Sequence, residues 1–184
     1  MKRLLDIVIA FAALLVLAPV WLLAALAIAL ESGGPVLFHQ TRLGLKGREF
    51  NMLKFRSMHQ DAAATGPYFT AANDTRITRV GRFIRRTSID ELPQLINVLR
   101  GDMSLVGPRP DVPKQRGFYS DADWAKRCSV RPGITGLAQA MLRSEATEAQ
   151  RLALDLRYTR EASVWFDLKI MGLTVTRLSG KASN

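Results

Sequence analysis

The chain has 184 residues, 48% of them hydrophobic, with 26 Lys and Arg against 16 Asp and Glu, a formal net charge of +10 and a pI near 10.5. Its one cysteine, Cys128, excludes an internal disulfide, fits a reducing compartment and is expected to be a small buried residue. The basic balance calls for an acidic partner, and anionic lipid, nucleotide phosphate and nucleic acid all meet that requirement.

Ile7 to Leu30 is an uncharged, almost wholly apolar run, long enough to cross a bilayer as one helix. It exceeds the h-region of about 7–15 residues in a secretory signal, so a retained helix is expected rather than cleavage after Ala27-Ile28-Ala29. Pro19 cannot donate to the Leu15 carbonyl, which predicts a bend in mid-run. Lys2 and Arg3 precede the run, and Arg42, Lys46, Arg48, Lys54 and Arg56 follow it. Basic flanks resist translocation at both ends, which favours a helix that enters, breaks near Pro19 and returns over an ordinary kinked span. The expected organisation is a re-entrant membrane helix over residues 1–32 and one compact cytoplasmic domain over residues 33–184, since about 150 residues make one domain and not two.

Residues 36–40 and 49–55 read as two short strands of a hairpin around the Gly- and Lys-containing turn at 42–47. Residues 61–75 are small, polar and punctuated by Gly and Pro, which reads as a loop. From Asp74 to Arg86 the pattern is helical, with Ile77, Val80, Phe83 and Ile84 on one side and Arg76, Arg79, Arg82 and Arg85 on another. Such a basic amphipathic stripe meets lipid phosphates or simply faces solvent.

The segment Thr87-Ser-Ile-Asp-Glu-Leu-Pro-Gln-Leu95 carries the strongest chemistry. Proline is cheap only in a first helical turn, so Pro93 predicts a helix beginning near Asp90, with the adjacent carboxylates Asp90 and Glu91 at its head. Arginines at 76, 79, 82, 85 and 86 and the helix dipole should keep Asp90 ionised, suited to act as nucleophile or metal ligand beside a phosphorylated substrate. Ser88 and Glu91 also fit a capping box, in which the acidic residues would serve the helix alone.

Gly101 ends that helix. Arg109, between Pro108 and Pro110, has little entropy left to lose, which suits a diphosphate clamp as well as a rigid turn with an exposed arginine. The Arg131-Pro-Gly-Ile-Thr-Gly136 turn admits close backbone approach to a ligand, or is plain turn chemistry. A helix over 147–160 would set Asp155 and Tyr158 on one face. The apolar segment 164–178, escorted by Lys169, Arg177 and Lys181, would pack on the domain or dip into the interface. No G-x-x-x-x-G-K-[ST], strand-linked G-x-G-x-x-G, G-x-S-x-G or paired C-x-x-C is present, so any nucleotide would be held by arginines and a metal. His39 and His59 lack metal-ligand company and read as structural. The expected fold class is mainly α with a small β-hairpin, an α+β arrangement with amphipathic interface helices.

Taken together and in this order, the segments resemble the bacterial sugar transferases known as small monotopic phosphoglycosyl transferases. The likeness runs from Lys2-Arg3 and Asp6 through Arg42-Leu43-Gly44, Lys54-Phe55-Arg56-Ser57-Met58, Asp74-Thr75-Arg76-Ile77-Thr78, the Asp90-Glu91 segment, Gly101-Asp102-Met103-Ser104, Val106-Gly107-Pro108-Arg109-Pro110 and Arg131-Pro132-Gly133-Ile134-Thr135-Gly136 to Asp167-Leu168-Lys169. The resemblance implies transfer of a phosphosugar from a UDP-sugar to a polyprenyl (undecaprenyl) phosphate with release of UMP, the first membrane step of glycoconjugate biosynthesis, at the cytoplasmic face of the bacterial inner membrane. It implies Asp90 as the nucleophile that forms an aspartyl phosphosugar, Glu91 as its partner, Mg²⁺ held by Asp90 and Glu91, and Arg85, Pro108, Arg109, Arg131, Thr135, Asp155 and Tyr158 as substrate-binding residues. The family usually has serine before the helix-breaking proline; Ala18 stands there in this chain. Two other readings remain open from residues alone. One is a non-catalytic, membrane-anchored basic module binding anionic lipid or nucleic acid, in which the acidic dyad would be idle; nucleic acid is disfavoured because no aromatics interleave with the basic stripe. The other is a prenyl-diphosphate hydrolase, which would release phosphate instead of UMP.

Overall fold

Proline in the apolar run divides it into α1 (Lys2–Val16) and α2 (Ala18–Ser32), bent by 62° at Leu17 in the computed structural model, which describes residues 1–63, 74–142 and 147–181. Pro19 lies in the first turn of α2, where a missing N–H breaks no helical bond. Leu17 donates to the Ala13 carbonyl at 2.9 Å and accepts from Trp21 at 2.9 Å, so the backbone stays bonded across the bend without a hydroxyl at residue 18. Among the described residues no single helix is long and apolar enough to cross a membrane; the bent pair passes that test together.

The pair has two faces. Leu4, Val8, Phe11, Leu15, Val16, Leu22, Leu23, Leu26 and Leu30 are each more than half exposed. On the other face Ala10 packs with Met52, Leu95, Val98 and Met103, and Ala24 and Ile28 pack with Phe55 and Ile84. A third core joins Val106, Leu137, Tyr158 and Ile170.

Both ends of the pair are fastened to the same body. Lys2 pairs with Asp167 and donates to the Val106 carbonyl at 3.3 Å, and Arg3 donates to the carbonyls of Leu99 and Met103 at 3.2 and 3.4 Å. Buried Asp6 accepts from the Ser104 hydroxyl at 2.9 Å and the Leu105 amide at 3.3 Å. At the far end Arg56 donates to the Ser32 hydroxyl at 2.9 Å and to the Gly33 carbonyl, a cation at a helix C-terminus. Glu31 reaches over to accept the Arg79 and Val80 amides at 2.8 and 2.9 Å.

The hairpin forms as expected, β1 (Leu37–Leu43) antiparallel to β2 (Glu49–Phe55), with Leu37 opposite Phe55. The helix expected from residue 74 is shorter: α3 runs Arg79–Arg86. Asp74 turns back on the Arg76 amide and guanidinium at 3.0 and 2.6 Å, and the Thr78 hydroxyl caps α3 by accepting from Gly81, so local side-chain bonds replace the first helical turn. Ile77 and Ile84 face inward as expected, whereas Phe83 is 53% exposed and shares the outer face with Arg79, Arg82 and Arg86. Most of the expected loop, 64–73, lies outside the described residues.

α4 (Gln94–Arg100) ends at Gly101, whose φ of 97° is the left-handed C-cap that glycine favours. Beyond it β3 (Ser104–Val106) pairs in parallel with β4 (Gly133–Thr135), separated by α5 (Asp121–Arg127). The Ser104 amide donates to Pro132, Gly107 to Thr135 and Gly133 to Pro108, at 2.8, 2.9 and 3.0 Å. The two Pro/Gly turns, 107–110 and 131–136, are therefore one unit. Only glycine fits the seam: a Cβ at Gly107 would lie 2.3 Å from the Arg131 carbonyl oxygen. After α6 (Leu137–Met141), α7 (Glu148–Glu161) opens on a Thr147/Gln150 capping box. In α8 (Val164–Lys181) Ile170 is fully buried while Trp165 and Val175 are 79% and 65% exposed, so one face packs on the domain and the other is bare. Among the described residues the architecture is mostly helical with two small sheets, an α+β fold.

Candidate active site

Asp90 and Glu91 sit in a short 3-10 turn, Ile89–Glu91, between α3 and α4. Ser88 before it has a left-handed φ of 59°, a conformation that costs a non-glycine residue on the order of 1–3 kcal/mol. That kink delays α4: Pro93 becomes its N-cap, the helix begins at Gln94 instead of near Asp90, and Ser88 makes no capping bond, so the expected capping box does not form.

Two cations converge on the pair from distant parts of the chain. Lys54 of β2 lies 2.7 Å from Glu91 Oε1 and 3.9 Å from Asp90 Oδ2. Arg109 Nη2 lies 3.0 Å from the same Glu91 oxygen. The Arg109 side chain is 47% exposed although Pro108 and Pro110 on either side are buried, so a fixed backbone presents a reachable guanidinium. Arg85 donates to the Ser57 hydroxyl at 2.7 Å and adds to the positive field on Asp90. Lys54 is the residue that sequence reasoning missed. Its signal is the period-2 pattern of β2, which puts a lysine two residues from buried Met52 on the same strand face.

The carboxylates divide into two roles. Burial would raise Glu91, but the charges of Arg109 and Lys54 and their hydrogen bonds overrule it and hold its pKa at about 2. Asp90 moves the other way: burial pushes its carboxyl up, Lys54 opposes this only in part, and the Glu91 charge adds to the rise. The cations expected to keep Asp90 ionised do oppose the rise, Lys54 most of all, but burial is the larger effect on its carboxyl. A permanently charged Glu91 anchors two cations, while its neighbour remains the more basic and hence more nucleophilic carboxylate.

The other sequence candidates lie elsewhere. Asp155 is buried and accepts from Arg127 Nε at 2.9 Å; burial, offset in part by Arg127, pushes it up to about 6. Tyr158, 1% exposed, holds its hydroxyl between two acceptors, 2.9 Å from the Val106 carbonyl and 2.7 Å from Asp167, which share its one proton. Both side chains are spent on internal bonds around the Arg109 segment and are not open to a substrate. Thr135 pairs with Thr174, hydroxyl to hydroxyl at 2.7 Å. Arg131 donates to the Gly101 carbonyl at 2.8 Å and lines an open groove with Lys46, Arg48 and Phe50, at the turn end of the hairpin. Neither contacts the carboxylate pair. His39 and His59 are exposed, and Cys128 is buried as expected.

A divalent cation fits the donor set in one way only. Among the described residues no third His, Cys or carboxylate joins Asp90 and Glu91, so no all-protein cage exists. One or two carboxylates with substrate phosphate oxygens completing the shell is how Mg²⁺ is usually held, and two adjacent hard oxygen donors meet that need.

A family profile, bacterial sugar transferase, matches residues 1–181. The chain is 51% identical over 186 residues to a UDP-glucose:undecaprenyl-phosphate glucose-1-phosphate transferase of Caulobacter vibrioides, covering 96% of this chain and 69% of that one. It is 48% identical over 187 residues to an undecaprenyl-phosphate glucose phosphotransferase of Komagataeibacter xylinus, covering 96% of this chain and 35% of that one. It is 44% identical over 191 residues to the exopolysaccharide production protein PSS of Rhizobium leguminosarum bv. phaseoli, covering 97% and 96%. On that profile, these relatives and the ordered motifs, the chain belongs to the bacterial sugar transferase family.

Proposed function

We propose that this chain transfers a phosphosugar from a UDP-sugar to undecaprenyl phosphate or a similar polyprenyl phosphate, giving polyprenyl diphosphate sugar and UMP at the start of polysaccharide assembly. The observation that carries the reading is the buried Asp90 carboxylate beside a Glu91–Lys54–Arg109 ion cluster whose arginine remains reachable. Asp90 attacks the phosphorus that bears the sugar, and the bond from that phosphorus to the UMP oxygen breaks. The polyprenyl phosphate oxygen then attacks the same phosphorus, and the aspartyl carboxylate leaves. Arg109 and Arg85 hold phosphate oxygens, and Lys54 offsets charge beside the nucleophile. Bound Mg²⁺ would supply further neutralisation of the diphosphate, held by Asp90 and Glu91.

The two relatives named for glucose make UDP-glucose the first donor to test. Purified chain with undecaprenyl phosphate and UDP-glucose should release UMP, and with UDP-glucose alone should carry a phosphosugar adduct on Asp90 by mass spectrometry. Release of inorganic phosphate in place of UMP would speak for hydrolysis, and full activity with no trappable adduct for direct transfer.

The same reading puts the chain on the cytoplasmic face of the bacterial inner membrane, with α1 and α2 as a re-entrant hairpin in anionic lipid and residues 33–184 as the cytoplasmic catalytic domain. It is supported by the fastening of both ends, Lys2 and Arg3 at one and Glu31 to Gly33 at the other, to one body. Because Lys2 is engaged by Asp167, the amino-terminal probe is best a cysteine added ahead of Met1, with a second at exposed Lys46, each in a Cys128→Ser background. A membrane-impermeant thiol reagent on intact cells should label neither; labelling of one alone means the pair spans.

A further inference from the structure

The segment that carries Arg109 is gripped at four carbonyls between Val106 and Pro110. Tyr158 donates to Val106 O at 2.9 Å, the Gly133 amide to Pro108 O at 3.0 Å, and Arg42 to Pro110 O at 2.9 Å. Arg127 Nη2 donates to Arg109 O at 2.6 Å. Arg127 is itself 6% exposed and fully engaged: Nε donates to Asp155 of α7 at 2.9 Å and Nη1 to Asp111 at 2.5 Å, with the Tyr119 ring 5.3 Å from its guanidinium carbon. One planar fork thus holds the Arg109 carbonyl and the Asp111 side chain two residues on. Pro110 lies between with a fixed φ and restricts Arg109 in turn, so this bond locates the peptide plane from which the Arg109 side chain departs.

Stability alone accounts poorly for the arrangement. One cation buried between two carboxylates carries a desolvation penalty that its Coulombic gain seldom exceeds, and well-packed apolar side chains do as well or better. The third arm of the fork serves the residue that meets Glu91.

We propose that Arg127, oriented by Asp155, is a positioning residue for the transfer reaction: it sets the Arg109 backbone so that the guanidinium meets Glu91 and the substrate phosphate. The proposal rests on the reading of Arg109 as a phosphate ligand. Asp155, on this account, acts through Arg127 and does not touch substrate.

The test is a double-mutant cycle on the full chain in lipid, read as kcat/KM for UMP release. Arg109→Ala is expected to lower kcat/KM about 100-fold. Arg127→Lys, whose ammonium cannot span three acceptors, is expected to lower it about 10- to 100-fold, and Asp155→Asn about tenfold. In the Arg109→Ala background both second substitutions should cost less than about twofold, because the residue they position is gone. If Arg127→Lys or Asp155→Asn keeps its full factor there, the pair is structural and the proposal is overturned. If Arg109→Ala leaves kcat/KM unchanged, the phosphate-ligand reading itself fails, a separate result. Should Arg127→Lys not fold, Asp155→Asn, which keeps the shape and one acceptor oxygen, carries the same comparison.

Discussion

Asp90→Asn is expected to remove turnover, by more than about 10⁴-fold in kcat, while raising the melting temperature near neutral pH. The activity follows from chemistry, since an amide cannot form the acyl phosphate. The stability gain follows from burial. Asp90 has a folded pKa above its ordinary value of 3.8. A group of that kind contributes stability that is complete below the ordinary pKa and lost as pH rises through the folded one. Near neutral pH the ionised carboxylate is a net cost, and an uncharged isostere removes it. UMP release and thermal unfolding at two pH values check both halves. The gain in melting temperature should shrink toward pH 4. A loss near neutrality would mean that Lys54 outweighs burial at Asp90.

Glu91→Gln should move stability the opposite way. With its pKa held at about 2 by Arg109 and Lys54, Glu91 contributes stability present above its ordinary 4.5 and lost as pH falls toward 2. The amide leaves Lys54 facing Asp90 alone and leaves Arg109 without its carboxylate. Turnover is expected to fall about 10²- to 10³-fold, because the arginine loses the anchor that aims it and the cluster loses half its negative charge. The melting temperature should drop near neutral pH, and that deficit should close between pH 4.5 and 2. Two neighbouring carboxylates, each replaced by its amide, would then shift stability with opposite signs. Equal signs would mean that the two share one environment, and the division into anchor and nucleophile would not hold.

Local chemistry written in short stretches was legible in the sequence. Pro19 announces the bend, two short strands around a Gly- and Lys-containing turn give the hairpin, and the helix expected over 147–160 is α7. The dyad was legible because two carboxylates beside a proline are rare and local. What was hidden depends on partners far along the chain. The pairing of β3 with β4 has three residues on each side, too few for any periodicity, and joins turns nearly thirty residues apart. Asp155 and Tyr158 are prominent as letters, yet both are buried and bonded to Arg127 and Val106, distant partners that no local pattern gives. The start of α4 was misplaced for a different reason: Ser88 adopts a backbone angle that serine seldom takes, and tertiary context overrides its propensity.

The bond between Lys2 and Asp167 joins α1 to α8, 165 positions apart. At about 5–20 residues per second, the ribosome makes the second partner roughly 8–33 s after the first. Asp6 likewise waits for Ser104, 98 positions on. Until residues 99–105 are made, the apolar outer face of α1 is available while the partners of Arg3 and Asp6 are not, so on the proposed membrane reading lipid would engage it first. On the membrane reading proposed above, the domain would close on a hairpin already in contact with lipid, and a ribosome stalled before Asp167 would leave Lys2 without that partner while Arg3 and Asp6 already have theirs.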